Sequence, residues 1–545
     1  MGNLSRLARD RRGNFAIISA LMTVPLVLGA AVVVDLSTIA RTKSELQAAL
    51  DSAALAIARE GKTISDKDAR DIAARFMSAN LELDSKDFSV VRSGTEFRVE
   101  GKASAKMAFA GLLGYDSWQI ASAATADIAY ASYEVALVLD TTGSMKGGKL
   151  TSMKDAVVGL VDTMSMQVND KDKLKFSLVP FATFVNVGPG FGPSFDAQGR
   201  QRPGTGANWL DLKGGADMAQ AELDEGASRF QLYENLGMKW PGCVETRAEV
   251  AGVDYGVIDH EPNASKSETL FVPAYSIDEP DAGFPNSYIK SNAKPKDNSA
   301  AQKKKRWAKY GVATDGAGAP LDNGYLDAAV VDPAEVDALP GGKKKIKIDT
   351  SASAATGKPK GPGHGCEMQP ITPLTDDYAG VKAKVNALEA NGTTNIMEGV
   401  AWGMRVLSPK APFAEGADAK KTGVEKIMIV LTDGSNVFGN ANNDLGSSYS
   451  SFGYLVDGRV GVDAGSAATT NTLMNERTLA ACTSAKADGV HVYTIRLEEP
   501  NVATGNMLKE CASSEADYFD VPTRAQLDAA FDKIKERIVR VRISS

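Results

Sequence analysis

The side chains best suited to chemistry stand directly after an apolar run that ends at Leu139. Asp140, Thr142 and Ser144 occupy alternate positions beyond it, so a carboxylate and two hydroxyls fall within five residues. Such oxygen atoms are the ligands that hard cations prefer. From Leu150 to Met164, apolar residues recur with the 3.6-residue period of an amphipathic helix. The pattern therefore predicts a buried strand, a cation-binding loop and a helix.

The spacing of Asp140, Thr142 and Ser144 resembles the first segment of the metal-ion-dependent adhesion site of von Willebrand factor type A (VWA) domains. That family completes the site with a threonine before a helix and an acid after a strand. Thr394, within Asn-Gly-Thr-Thr-Asn, matches the threonine, and Asp433, within Thr-Asp-Gly after an apolar run, matches the acid. Ligands of open α/β sheets collect outside the carboxyl ends of the strands. The three loops are therefore expected to meet at one edge of a sheet.

The resemblance implies a role for each of these five side chains. Ser144, Thr142 and Thr394 would contact the metal directly or through water. Asp140 and Asp433 would hold those waters and balance the charge. Mg²⁺ suits such a site because it takes hard oxygens, keeps several waters and needs only one or two carboxylates, with Mn²⁺ or Ca²⁺ left open. An Asp or Glu of a protein partner would complete the shell, which predicts adhesion.

Other interpretations of the same loop compete with adhesion. Gly143–Lys149 spells G-x-x-x-x-G-K after a strand, as in a P-loop nucleotide-binding protein. Against this, Leu150 stands where that motif has a hydroxyl for Mg²⁺, and Asp140 would place negative charge beside a phosphate. Two further interpretations remain open. The loop is a polar turn that binds no metal, or a bound metal only stabilises the fold of a structural scaffold. Hydrolysis by Ser144 lacks a general base, since none of the three histidines lies in these loops, so we predict no enzyme.

Length, charge and local basic runs bound the class of protein. The 545 residues allow two to four domains. A net charge of −7 and a pI of about 5.4 argue against a nucleic-acid binder. The basic runs Lys303–Arg306 and Lys343–Lys345 are interpreted as solvated loop charges.

The N-terminus predicts a membrane anchor. Phe15–Val34 contains no charged residue and is long enough to cross a bilayer. Four arginines precede it, and Asp35 follows it. The positive-inside rule then makes residues 1–14 a cytoplasmic stub and places the rest of the chain outside. We predict a single-pass protein of the inner membrane, with a cleaved secretory signal as the alternative.

Residues 35–131 are predicted to form a helical stalk and a small α+β region. An apolar seam from Leu36 to Ile57 favours a helix that packs either on its own domain or on another membrane helix. A second helix from about Asp66 to Leu81 and three short strands follow. Arg11–Ala16, the apolar span and Asp35-Leu36-Ser37 resemble the start of TadE/TadG-type proteins of Tad (Flp) pilus assembly, whose layout is pilin-like.

That second resemblance implies an anchored assembly factor whose partners are pilus or surface components. Prepilin processing after a glycine usually needs Glu at the fifth mature position, where this chain has Ile18. We therefore predict no cleavage after Gly13.

Residues 132–545 are predicted to form a VWA domain, an α/β fold with a doubly wound, largely parallel, Rossmann-like sheet. Strands and helices alternate except over residues 188–369 or thereabouts, which are rich in Gly, Pro, Asp and Lys. A structureless loop of that length is improbable in a compact domain, so we predict an inserted lobe. Its candidate core residues are Trp209, Trp240, Phe271 and Tyr275. The sequence around Trp240 and the distant Cys366 also resembles an insertion of TadG-like proteins.

The four cysteines agree with an oxidising compartment. Four cysteines allow three connectivities, between which sequence alone does not choose. We predict Cys243 with Cys366, which would bracket the insertion, and Cys482 with Cys511, which would tie the helices on either side of one strand.

Overall fold

The computed structural model describes most of the chain, which forms two compact units. The units are Met1–Ala131 with Arg540–Ser545, and Ser132–Val539. The described residues are 12–539 and 543–544, except for 60–63, 81–87, 94–95, 128–131, 169–170, 198, 217, 219, 221–222, 224–227, 280–283, 291–308, 311–312, 315–319, 322–335, 339–343, 355, 420 and 422. The predicted cytoplasmic stub therefore lies mostly outside them, as does the first basic run, Lys303–Arg306.

The first unit packs two helices against an antiparallel sheet of order β1-β2-β3-β16. Its elements are α1 (Arg12–Arg59), α2 (Asp66–Asn80), β1 (Phe88–Ser93), β2 (Glu96–Lys106), β3 (Ser117–Asp127) and β16 (Ile543–Ser544). The stalk seam is buried from Leu46 onward, and its Leu50 and Ile57 share a core with Phe97 and Val99 of β2. Of the two alternatives for the seam, the described part packs on its own domain. Leu36, at its start, is exposed.

The C-terminal strand belongs to the first unit, although the predicted VWA domain ran to residue 545. In β16, Ile543 pairs with Ala126 and Ser544 with Thr125 of β3. Sequence could not place this strand, because the pairing joins residues about 400 positions apart and two residues carry no periodic signal.

The second unit is built on a six-stranded, mostly parallel sheet of order β12-β5-β4-β13-β14-β15. Its strands are β4 (Ser132–Asp140), β5 (Leu174–Phe181), β12 (Thr372–Thr375), β13 (Val424–Thr432), β14 (Val490–Leu497) and β15 (Tyr518–Val521). All neighbours are parallel except the edge strand β12, which runs antiparallel to β5. The sequence did not predict β12, since four residues without alternating apolar side chains resemble a loop. A mixed α/β fold with a mostly parallel sheet is confirmed.

Helices cover both faces of this sheet. The helices of this unit are α3 (Gly148–Gln167), α4 (Arg229–Asn235), α5 (Tyr378–Asn386), α6 (Ile396–Val406), α7 (Ala467–Ala487), α8 (Val502–Cys511) and α9 (Leu527–Val539). Alternate residues of β4 point to opposite sides. Val135 and Leu137 share one core with α3, α5 and α9, whereas Ala136 and Val138 share the other with α6, α7 and α8.

The residues predicted to be inserted, about 188–369, lie between β5 and β12 and are called the insertion. The insertion packs onto the sheet, and its described residues form no separate compact unit. Its short strands make three antiparallel pairs, namely β6 (Glu249–Val250) with β7 (Val253–Asp254), β8 (Ala313–Thr314) with β9 (Pro320–Leu321), and β10 (Val336–Ala338) with β11 (Lys344–Ile346). Part of the second basic run thus lies in β11 and not in a loop. All four predicted core residues are buried, in the same core as α6: Trp209, Trp240, Phe271 and Tyr275.

Both predicted disulfide pairings are present. Cys243 is bonded to Cys366 with a Cα–Cα distance of 5.8 Å, and Cys482 to Cys511 with 5.2 Å. The first bond links two parts of the insertion 123 residues apart. The second joins α7 to α8, which flank β14 in sequence and pack on the same face of the sheet.

The close packing of α6 gives a testable difference between two glycines. A Cβ atom at Gly403 would lie 2.5 Å from Cγ2 of Val138, whereas Gly159 of α3 is exposed with no atom within 4 Å. We expect Gly403→Ala to lower the free energy of unfolding by about 1–3 kcal/mol through overpacking. Gly159→Ala should raise it by up to about 1 kcal/mol, because Ala favours a helix. Urea unfolding of both variants measures this; destabilisation of similar size in both would contradict the packing explanation.

Candidate metal centre

The three predicted segments meet at the carboxyl ends of the two central strands. Leu139 of β4 pairs with Leu431 of β13, so Asp140 lies level with Thr432, and Asp433 follows one residue beyond. The chain continues from β4 to β5 on one side, whereas β13 lies on the other side of β4. Strand order therefore reverses between β4 and β13, which is where open α/β sheets bind their ligands.

Asp140 is fully buried and held on both carboxylate oxygens. Its Oδ1 accepts the backbone N–H of Thr142 at 2.8 Å, and its Oδ2 accepts the hydroxyl of Thr432 at 2.6 Å. Burial and the nearby charge of Asp433 raise the pKa of Asp140 from 3.8 to about 6, against the lowering effect of these hydrogen bonds. A cation beside the two acids would relieve this unfavourable charge.

A chain of hydrogen bonds joins the loop after β4 to the acid after β13. Thr142 Oγ1 and Ser144 Oγ lie 2.9 Å apart, and Ser144 Oγ donates to Asp433 Oδ1 at 2.5 Å. Thr142 and Asp433 are buried, but Ser144 is exposed. The arrangement therefore opens to the surface at Ser144.

Thr394 comes to the same place through backbone contacts between loops. The amide of Asn391 donates to Thr141 O at 2.7 Å, and the amide of Gly143 donates to Gly392 O at 3.0 Å. A Cβ atom at Gly434 would lie 3.2 Å from Thr394 Oγ1 and 3.5 Å from Ser144 Oγ. Both hydroxyls therefore border the small volume that Gly434 leaves open. The structure thus brings all five predicted side chains together.

Lys149 is the main feature of the site that sequence reasoning missed. Its Nζ lies 2.6 Å from Asp433 Oδ2, and the Asp433 side chain is inaccessible to solvent. The sequence signal was present, because Lys149 is the lysine of the nucleotide-binding motif considered above. In the structure this ammonium pairs with Asp433, which directly follows β13. A phosphate bound by Lys149 would have to displace the Asp433 carboxylate. Thr432 was also missed as a partner of Asp140, since only the strand register reveals it.

Buried polar contacts connect the Thr394 loop to the insertion. Asn395 donates from Nδ2 to Ser451 Oγ at 2.9 Å, and Thr246 Oγ1 lies 2.9 Å from the same Ser451 oxygen. Thr246, in the insertion, also donates to Glu398 of α6. Burial raises the pKa of Glu398 despite these hydrogen bonds. The insertion therefore supports the residues that follow Thr394.

The donors fit a hard cation that needs only one or two carboxylates from the protein and completes its coordination with water. No group of three or more His, Cys, Asp or Glu side chains suited to a metal occurs among the described residues. This centre has two carboxylates and three hydroxyls, which is a set that Mg²⁺ accepts together with water. Lys149 balances one of the two carboxylate charges, so one negative charge is left for a cation to neutralise.

Comparison with protein families assigns the start of the chain. Residues 13–60 match the family described as putative Flp pilus-assembly TadE/G-like. The N-terminal segment is TadE/G-like. This match, which essentially covers α1, confirms the resemblance seen in the sequence. One helix in the described part of the chain, over Leu21–Ala58, is long and apolar enough to cross a membrane. No curated protein matches the chain in sequence.

Solved structures that are similar to this chain include pilus proteins. The vWF domain of the type V pili tip protein Mfa5 from Porphyromonas gingivalis has 10% identity and a TM-score of 0.31, over 76% of this chain and 98% of that one. The adhesive tip pilin GBS104 from Group B Streptococcus agalactiae has 10% identity and a TM-score of 0.31, over 75% and 100%.

The pilus adhesin SpaC from Lactobacillus rhamnosus GG has 10% identity and a TM-score of 0.29. The match covers 83% of this chain, which spans about a third (34%) of SpaC.

Proposed function

We propose that this protein is an anchored accessory factor of Flp pilus assembly whose second unit is a VWA-like adhesion domain. In this proposal the sheet is doubly wound, and the residues inserted after β5 form its accessory lobe. The domain binds a divalent cation, Mg²⁺ or else Mn²⁺ or Ca²⁺, and through it a carboxylate of a protein partner. The partner is a pilus or surface component, and no catalysis is involved.

One observation carries the proposal. Side-chain oxygens from three segments distant in sequence, those of Asp140, Thr142, Ser144, Thr394 and Asp433, converge at the point where strand order reverses. Burial, and after it the nearby charge of Asp433, raises the pKa of Asp140 to about 6, so the ionised Asp140 carboxylate is destabilised when no cation is bound. A buried carboxylate that is destabilised in this way, and that lies beside a second acid and three hydroxyls, is expected where a cation binds.

Each side chain has a distinct part in holding the cation. Ser144, Thr142 and Thr394 supply neutral oxygens, and the two acids supply the charge. Thr432 fixes one oxygen of Asp140, which keeps this carboxylate oriented. A bound cation would supply a Lewis-acidic position for an incoming carboxylate. The exposure of Ser144 leaves that side of the site open to a partner.

The anchor and the pathway rest on the TadE/G-like segment. An apolar α1 with arginines at its start supports a single crossing of the inner membrane, with the N-terminus in the cytoplasm. Both disulfides support a location of the second unit outside the cytoplasm.

A nucleotide-binding function receives less support, because Lys149 pairs with Asp433 and ATP is scarce outside the cytoplasm. A purely structural metal also receives less, since this ion pair already neutralises Asp433 without metal.

The lysine gives a direct test of the metal centre. The Lys149 ammonium lies on Oδ2 of Asp433, whereas Ser144 donates to Oδ1. Because a bound cation would also draw on the negative charge of this carboxylate, the cation and the ammonium compete for it. We expect Mg²⁺ or Mn²⁺ to raise the melting temperature of the full-length protein in detergent, and EDTA to reverse this. Lys149→Met should tighten the cation affinity about tenfold, or about 1.4 kcal/mol, measured by isothermal titration calorimetry.

Lys146→Met is the matched control, because Lys146 is exposed and lies three residues before Lys149, between β4 and α3. It should leave cation affinity within about twofold of the wild type, as surface charges contribute little. Absence of cation binding in both the wild type and Lys149→Met would refute the proposed centre. If the cation raises stability but the partner binds equally well without it, the metal has only a structural role and the protein is a scaffold.

A further inference from the structure

Three aromatic side chains of the first unit are exposed around the connection between β2 and β3. Phe109, Tyr115 and Trp118 are 40%, 70% and 58% exposed. Trp118 lies on the same face of β3 as Ile120, two residues further along, and Ile120 is buried in the core that α1 covers. Trp118 therefore lies on the face of the sheet that packs against α1, at the end of the sheet that α1 no longer buries.

Asp35 attaches this connection to α1. Its Oδ1 accepts the backbone N–H of Ala108 at 2.8 Å, its Oδ2 accepts that of Ala110 at 2.8 Å, and both oxygens lie 3.3 Å from the N–H of Phe109. Asp35 is only 5% exposed. Three amide contacts to one carboxylate hold the connection at the level of residue 35 of the helix.

Residue 35 marks the end of the membrane-crossing part of α1 under the proposed function, on which this inference rests. The apolar residues from Leu21 to Val34 are largely exposed in the protein, whereas from Leu46 onward the helix is buried on its own sheet. A bilayer of about 40–45 Å has a hydrocarbon core of about 30 Å, which leaves a headgroup layer of roughly 5–8 Å on each side. The connection, fixed at Asp35, falls in that layer.

We propose that Phe109, Tyr115 and Trp118 insert into the headgroup layer of the bilayer that α1 crosses, as a second membrane contact. Trp and Tyr prefer this layer because their rings are apolar and their polar atoms can be hydrated. Lys106, at the end of β2, and Asp116, in the connection, are both exposed and carry opposite charges, so the membrane contact depends on the aromatic rings and not on net charge. Two attachments, the helix and the aromatic connection, restrict how the first unit can tilt over the membrane.

Fluorescence quenching by brominated lipids tests the insertion in the full-length protein. The protein is reconstituted into vesicles of phosphatidylcholine and phosphatidylglycerol brominated either near the headgroup or near the chain terminus. The difference between the wild type and Trp118→Phe isolates the emission of Trp118, because the remaining tryptophans contribute equally to both. We expect bromines near the headgroup to quench this component at least about twice as strongly as those near the chain terminus.

A matched control places a tryptophan at an exposed site far from the membrane. Val91 of β1 is 51% exposed and pairs with Arg98, eight residues along β2 from Lys106, or about 26 Å. In Val91→Trp combined with Trp118→Phe, the new tryptophan should show no lipid quenching. If Trp118 is not quenched in a protein that floats with the vesicles, the membrane contact of the aromatic side chains is overturned but the anchor is not. These side chains would then face water or a protein partner. A protein that does not float with the vesicles would overturn the proposed membrane anchor, and with it the membrane contact of the aromatic side chains.

Discussion

Asp140→Asn should weaken binding of Mg²⁺ or Mn²⁺ to the full-length protein by at least about 100-fold, or about 2.7 kcal/mol. The substitution removes one of the two carboxylate charges of the centre but keeps the shape of the side chain. Its carbonyl oxygen can still accept from the amide of Thr142, and its amide can donate to Thr432 Oγ1. Partner binding that depends on the cation should disappear with it. Calorimetric titration with the cation measures the first effect, and partner binding with and without EDTA the second.

The same variant tests whether Asp140 is the group with the raised pKa. The shift of Asp140 from 3.8 to about 6 corresponds to about 3 kcal/mol of destabilisation when the group is ionised. Because the folded state holds this proton more tightly, the metal-free wild type should gain stability as the pH falls from about 6 toward 4. Asp140→Asn should lack that gain, so the difference in unfolding free energy between the two should change over this interval.

Asp155→Asn is the control for both measurements. Asp155 is an exposed acid of α3 in the same unit, so its loss removes the same formal charge without touching the centre. It should leave cation affinity and the pH dependence of stability as they are in the wild type. Undiminished cation binding by Asp140→Asn would refute the assignment of the centre.

Glu245→Gln should lower the free energy of unfolding by about 3–5 kcal/mol, because it breaks a buried ionic cluster that links the insertion to the loop after β13. Glu245 is paired with Arg229 and Arg459, each at 2.6 Å, and accepts the hydroxyl of Tyr449. Burial by itself would raise the pKa of Glu245, but the two arginines outweigh it and hold that pKa below its usual value. The variant would leave both guanidinium groups without their shared carboxylate.

Asp349→Asn is the matched control for that experiment. Asp349 also belongs to the insertion and pairs with Lys360 at 2.6 Å, but its side chain is half exposed. Its loss should cost no more than about 1 kcal/mol, as for surface ion pairs. Urea unfolding monitored by near-ultraviolet circular dichroism compares the two variants. Similar effects for both would mean that the buried cluster does not hold the insertion in place.

Glu245→Gln also has a consequence for the metal centre. The next residue, Thr246, shares Ser451 with Asn395, which directly follows Thr394. Loosening the insertion should therefore move Thr394, and cation affinity should fall by a few-fold without any change to a ligand. This coupling runs through contiguous buried hydrogen bonds.

The sequence by itself determined the local elements and the chemical types of the site. Continuous apolar runs identified β4 and β13, since central parallel strands are buried on both faces. The acid and hydroxyls directly after the first run identified Asp140, Thr142 and Ser144 as candidate ligands, whereas Thr394 and Asp433 were identified through the resemblance to VWA domains. The uncharged start of α1 identified the span. These properties are encoded in neighbouring residues, where period and composition can be read directly.

Only the tertiary structure decided which distant residues meet. The pairing of Lys149 with Asp433 joins side chains 284 positions apart, and the contact of Thr432 with Asp140 depends on the register of β4 and β13. Likewise, the insertion shares the core of the sheet, and β16 joins the first unit. Such contacts follow from strand order and from packing of whole faces, to which each residue contributes little. No local pattern in the sequence therefore records them.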